Sequence, residues 1–181
     1  MPKPRTDGAP ASANDYSIAR LRVAASPLFL RPAEVQRGVE LLLLGHGQLM
    51  RAADGVLRDA GIGRAHARML GHVVRWPGIA MGDLIDLTGT TKQALTRVAR
   101  ELDAKGLIDT VPGLRDRRRR ELTATVEGRA LAARIDAAYA AAIAEAYGVS
   151  GRESVSGFWQ VLEGLVPVAL RTRFAEWERR R

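Results

Sequence analysis

The sequence of 181 residues contains no cysteine, which excludes a disulfide framework, a thiolate zinc site and any thiol-based redox switch. Histidine is scarce: His46, His66 and His72 are the only three, and His66 and His72, six apart, do not share a helical face in ligand geometry. No metal site is expected from them. No serine sits in a nucleophile-elbow pattern, and there is no glycine-rich phosphate loop and no paired-carboxylate motif. Asp83 and Asp86, on one short helix, read as solvated caps. An enzyme is therefore not expected, and no cofactor is implied. No apolar run approaches the length that spans a bilayer, since Val39 to Leu44 is far too short, and the N-terminus lacks an apolar signal-peptide core. A cytoplasmic protein without membrane contact is the expectation. Acidic side chains are outnumbered, 20 against 28 lysines and arginines, for a formal charge of +8 and a pI near 10.9. Such a balance favours a polyanionic partner.

What is present centres on the stretch from Gly89 to Gly128. Leu95, Val98, Ala99 and Leu102 recur at three- and four-residue steps and so share one face of a helix. Gln93, Thr96, Arg97 and Arg100 fall on the opposite face, where an amide, a hydroxyl and two guanidiniums can read base edges in a major groove. Thr90 or Thr91 can cap the start, and Gly106 stands where a left-handed residue closes a helix. By itself this is also the pattern of a solvated surface helix. Upstream, Ile79 to Leu87 forms a second short helical pattern, linked through Thr88-Gly89-Thr90, so the pair describes a helix-turn-helix. Downstream, Leu107 to Val111 reads as a strand, Pro112-Gly113 as a turn, and Glu121-Leu122-Thr123 as the returning strand. Between them Leu114 to Arg120 holds five arginines and one aspartate. A basic run with no fold around it would be a tail or localisation signal. Following a candidate recognition helix, it reads instead as a wing that tracks phosphates or enters the minor groove.

These residues resemble the MarR family of winged helix-turn-helix regulators. The likeness is carried by Asp83-Leu84, by Thr96-Arg97, by Leu102-Asp103-Ala104-Lys105-Gly106-Leu107-Ile108, by Asp116-x-Arg118, and by Thr125-Val126-Glu127-Gly128, which matches the family's Thr-x-x-Gly helix entry. It covers roughly residues 62 to 130. Two departures stand out. Ala124 replaces the usual leucine, which should loosen core packing, and four consecutive arginines occupy a wing that commonly mixes in apolar residues. The fold implied is mainly α: a winged helix-turn-helix with a small β-hairpin wing, plus a helical dimerisation layer from the N- and C-terminal parts. The expected function is sequence-specific recognition of double-stranded DNA by a transcriptional regulator, in this family usually a repressor. A non-specific nucleic-acid-binding or chromosome-organising protein is the alternative that charge alone would support. Base reading falls to Gln93, Thr96, Arg97 and Arg100. Backbone contact falls to Thr91 and Lys92 and to the wing residues Arg115, Arg117, Arg118 and Arg119, while Asp116 should brace the hairpin through Arg118.

The rest of the chain divides accordingly. Residues 1–31 are a proline- and alanine-rich tail followed by a more apolar arm. Residues 32–60 form a long helix starting at Pro32, with Val35, Val39, Leu42, Leu43, His46, Leu49, Met50, Ala53, Val56 and Leu57 as its buried stripe. Residues 61–124 are the winged domain, including a helix from Arg64 to Trp76 that turns Met69, Leu70 and Val73 inward. Residues 125–181 are C-terminal helices. The first, Val126 to Tyr147, is closed by Gly148, and Ser150 with Glu153 has capping-box spacing. The last carries Phe158, Trp159, Leu162, Leu165, Val166, Leu170, Phe174 and Trp177, with Pro167 as a kink. These stripes exceed what a small winged domain can cover, so a two-fold homodimer is expected, with a larger monomeric bundle as the alternative. The resemblance implies that such a dimer presents two recognition helices and two wings to a pseudo-palindromic operator. It also implies a small, often aromatic, acid as effector, for which His46, Met50, His66, Met69 and Val73 are candidate liners.

Overall fold

The structure is a computed structural model that describes residues 31–113 and 119–179. The chain divides into two units between His46 and Gly47. Helix α1, Pro32–Ala52, runs through that division and buries none of its side chains; Val39, Leu41, Leu43 and Leu44 are each more than half exposed. The stripe expected to be covered is thus open over most of its length. Only Ala53 and Leu57, past the end of α1, are buried.

The single helix expected to reach Ala60 is interrupted at Ala53, and α2 spans Asp54–Asp59. This places the Asp54 carboxylate at a helix start, where its oxygens accept from Nε and Nη2 of Arg64 at 2.7–3.1 Å. The hydrogen bond from Arg64, helped by the charges of Arg64, Arg58 and Arg51, lowers the Asp54 pKa. Helix α3, Arg64–Arg75, buries Ala67, Met69, Leu70 and Val73, and Trp76 follows it into the core. It packs against helix α5 (Lys92–Ala104), helix α6 (Val126–Ser150) and the sheet, so the core of the second unit is built around it.

The sheet has three antiparallel strands in the order β1-β3-β2: β1 is Ile79–Ala80, β2 Ile108–Pro112 and β3 Arg120–Ala124. The fully buried Leu122 pairs with Ile79 on one side and Thr110 on the other. Ile79 and Ala80 were expected to open the helix of the turn motif. They form a strand instead, and helix α4 begins at Met81 and ends at Thr88. Two residues are too few to display the two-residue period of a strand. Ala124, in the leucine's place, lies opposite Ile108 and is itself buried.

Helix α6 runs through Gly148 to Ser150, because a glycine in right-handed helical conformation weakens a helix without ending it; Gly151, at φ 78°, makes the stop. The capping box at Ser150 does not form. Its hydroxyl donates back to the Ala146 carbonyl at 2.8 Å, and helix α7, Arg152–Leu165, starts from Gly151 without a side-chain cap. Pro167 does more than kink the last helix: Val166 is extended, and a separate helix, α8, spans Val168–Arg179. A residue before proline is driven out of the helical region, which is the reason. Phe158, Trp159, Val161, Leu165 and Val168 are all exposed. The expected arm before Arg31, and the side chains of Phe174 and Trp177, lie outside what the structure describes.

Candidate nucleic-acid interface

The turn between α4 and α5 is built from local hydrogen bonds. Gly89 takes the left-handed conformation at φ 62° and its N–H closes on the Ile85 carbonyl at 2.9 Å. The Thr88 hydroxyl donates to the Leu84 carbonyl at 2.7 Å and accepts from the Thr90 N–H at 3.3 Å. Thr91, rather than Thr90, is the N-cap of α5, accepting from the Ala94 N–H at 3.3 Å. Thr90 is anchored from behind instead, since Arg68 of α3 donates to its hydroxyl at 3.1 Å.

Helix α5 buries Leu95, Val98, Ala99 and Leu102, which fixes the opposite arc outward. Gln93, Arg97 and Arg100 are exposed on that arc and Thr96 is half-buried. The Thr96 hydroxyl donates to the Lys92 carbonyl at 2.8 Å, which leaves its oxygen as an acceptor for an outside donor. The four side chains do not behave as one row. Lys92, Thr96 and Arg100 line an open groove of about 720 Å³ that continues to Arg119 and Arg120 at the base of the wing. Arg97 turns toward α3 and helps to line a smaller cavity with Arg68, Met69, Thr88 and Thr90.

Glu101, one turn beyond Arg97, completes that side. Its Oε1 lies 3.6 Å from Arg97 Nε, and its Oε2 is 2.6 Å from His66 Nε2. The other ring nitrogen of His66, Nδ1, accepts the Gly63 N–H at 3.1 Å. A nitrogen that accepts carries no proton, so the proton sits on Nε2 and is donated to Glu101.

The hairpin closes through the Gly113 N–H on the Arg119 carbonyl at 2.8 Å, and the Arg119 guanidinium reaches Asp83 of α4 at 3.2 Å. Asp83 is thus not a solvated cap but an ion-pair partner that ties the wing to the first helix of the turn motif. Arg115, Asp116, Arg117 and Arg118 lie outside the described residues, so the expected brace from Asp116 to Arg118 falls there too.

The five candidate ligand residues have separate surroundings. Met69 and Val73 are core side chains, His66 is engaged with Glu101, Met50 is half-buried and His46 is exposed. Asp83, Glu101 and Arg68 were the participants that sequence reasoning missed. Glu101 alone had a local signal, its four-residue spacing from Arg97; the partners of Asp83 and Arg68 are 36 and 22 residues away. Among the described residues no three histidine or acidic side chains group to hold a metal ion, and no helix is long and apolar enough to cross a membrane.

Comparison with known proteins agrees with this geometry. The model of the MarR family matches residues 60–119. The HTH-type transcriptional regulator PetP of Rhodobacter capsulatus is 34% identical over 147 residues, covering 81% of this chain and 89% of that protein. Among solved structures, a mutant MarR from E. coli complexed with operator DNA superposes with a TM-score of 0.62 at 19% identity, over 74% of this chain and 96% of that one. NadR in complex with 4-hydroxyphenylacetate gives a TM-score of 0.62 at 23% identity, over 70% and 90% of the two chains. With the winged helix-turn-helix fold in place and a relative this close over most of its length, the chain belongs to the MarR family of DNA-binding transcriptional regulators and is not an enzyme.

Proposed function

We propose that the protein is a sequence-specific regulator that acts as a homodimer on a pseudo-palindromic operator, as a cytoplasmic repressor released by a small acid. The observation that carries the reading is the open groove in which Lys92, Thr96 and Arg100 of α5 stand on the same side as Arg119 and Arg120 of the wing. On and beside it Gln93, Thr96, Arg97 and Arg100, all on the outward arc of α5, read base edges, and Thr91, Lys92 and the wing arginines hold phosphates. The exposed leucines of α1 and, separately, the exposed apolar residues of α7 and α8 support the dimer, because large apolar side chains left open on a helix face mark association surfaces. The operator complex of the MarR mutant and the 4-hydroxyphenylacetate complex of NadR support the DNA and effector readings by analogy.

The test is binding to the DNA beside the protein's own gene against scrambled DNA at matched salt. A regulator prefers the first by about a thousandfold or more, whereas equal affinity favours a chromosome-organising protein, for which the charge of +8 would suffice. A thermal-shift screen of aromatic carboxylates and acyl thioesters, followed by operator release, tests the effector. Ligands that stabilise the protein yet leave DNA affinity untouched would sink the switch, since a ligand with equal affinity for both states shifts nothing.

A further inference from the structure

Arg97 and Glu101 are four residues apart on the recognition helix, and a carboxylate on a DNA-facing helix needs an explanation, because it repels phosphate. An unrestrained Glu101 would have two ways to do harm. It could face the DNA, or it could close both oxygens on Arg97 in a fork and hold the guanidinium off the bases. The geometry shows neither. One oxygen, Oε2, is held at 2.6 Å by the His66 N–H, so only Oε1 is left for Arg97. That oxygen meets the guanidinium at its Nε, 3.6 Å away. The approach is thus through Nε, whereas a bidentate contact to a guanine edge can be made by the two terminal nitrogens. His66 is in turn fixed by the Gly63 N–H on its Nδ1 and is mostly buried, with 16% of its side chain exposed, while Arg97 is 78% exposed. Exposure rises from the imidazole through the half-exposed carboxylate to the Arg97 guanidinium, the group assigned to the DNA.

We propose that Glu101 is the positioning residue for Arg97, and that His66, which does not reach the DNA-facing arc, holds Glu101 in that role. Base discrimination at one position of each half-site then depends on a hydrogen bond between two helices inside the protein. A long, exposed arginine loses several rotatable bonds' worth of freedom when it docks on a base. Pre-setting it from the Nε side reduces that loss for the correct base without adding attraction for DNA in general. The proposal rests on the assignment of Arg97 as a base reader, and the experiment separates the two.

Binding sites are selected from a random duplex library with the full-length protein, and the base-pair position that relaxes in Arg97→Ala is identified. At that position the wild type should discriminate by roughly 5- to 150-fold, the range of one good bidentate contact. Glu101→Gln and His66→Phe should each lose most of that discrimination while keeping the wild-type preference elsewhere in the site. His66→Gln, which retains an N–H for the carboxylate, should recover it. Glu101 is nearly half exposed, so its variant is expected to fold, and His66→Phe provides an independent route to the same readout. If Glu101→Gln discriminates as well as the wild type and simply binds all DNA more tightly, Glu101 is only a negative charge near phosphate and the proposal is overturned. If Arg97→Ala relaxes no position, the base-reading assignment itself is wrong and the proposal falls with it.

Discussion

Gly128 of α6 lies so close to the Leu107 carbonyl that a Cβ built on it would overlap the oxygen, with the Leu70 side chain next nearest. This contact joins the end of the recognition helix to the start of the long C-terminal helix. The same carbonyl accepts the Thr125 N–H at 3.2 Å, and the Thr125 hydroxyl donates to the Gly106 carbonyl at 2.7 Å while it caps the Gly128 N–H at 3.0 Å. The Thr-x-x-Gly spacing is therefore a backbone clamp, in which threonine supplies the bonds and glycine the clearance.

Gly128→Ala should destabilise the fold even though alanine is the better helix former. The propensity gain is about 1 kcal/mol at most, whereas forcing a methyl group against a fixed backbone carbonyl costs about 1–3 kcal/mol or more. A lower urea midpoint checks this; an unchanged or higher one means that the α5–α6 junction yields freely.

Asp83→Asn should leave thermal stability within about 1 kcal/mol, because its partner Arg119 is more than half exposed and the pair stays open to water on that side. Its effect should appear in DNA binding. Arg119, released from the carboxylate, becomes available to phosphate, and the log–log salt dependence should steepen by about 0.9 for each added contact. A salt slope identical to the wild type would show that Arg119 stays away from the backbone with or without its partner.

If the proposed dimer forms through α1, replacing Leu43 and Leu44 together by glutamate should yield a monomer without unfolding the second unit, since both side chains are about two-thirds exposed in the single chain. Operator affinity should then fall by about a hundredfold or more as the two half-sites are no longer bound together. Sedimentation equilibrium decides the point, and a double variant that still dimerises places the interface elsewhere.

His72 should make the protein acid-sensitive. Burial, reinforced by the nearby Arg68 and Arg75, lowers its pKa from the ordinary 6.5, and its ring stacks on Trp76 at 5.6 Å between centroids. The unfolded chain therefore takes up the proton first. The contribution of His72 is fully present above about pH 6.5 and is lost as the pH falls through the lower, folded pKa. His72→Phe keeps a ring on Trp76 but cannot titrate, so the drop in urea midpoint from about pH 7 to pH 5 should be smaller than in the wild type. Equal drops would assign the acid sensitivity to other groups.

The sequence by itself determined the elements whose signal is local and periodic. The apolar ridge of α5, a threonine cap narrowed to Thr90 or Thr91, the turn at Gly89 and the Thr125–Gly128 entry all depend on neighbours within four residues, so type and spacing sufficed. The outward placement of Gln93, Arg97 and Arg100 followed from the ridge, because burying one face of a helix fixes the other. Features that depend on distant partners were not legible. Strand β1 exists only because β3 lies beside it, and Asp83 became a wing anchor only through Arg119, which is 36 residues away. The break at Ala53, whose side chain is fully buried, likewise reflects what packs outside the helix, which helix propensity alone does not encode. Glu101 shows the division within one side chain. Its spacing from Arg97 is written in the sequence, but that one of its oxygens belongs to His66, 35 residues earlier, was decided by the packing of α3 against α5.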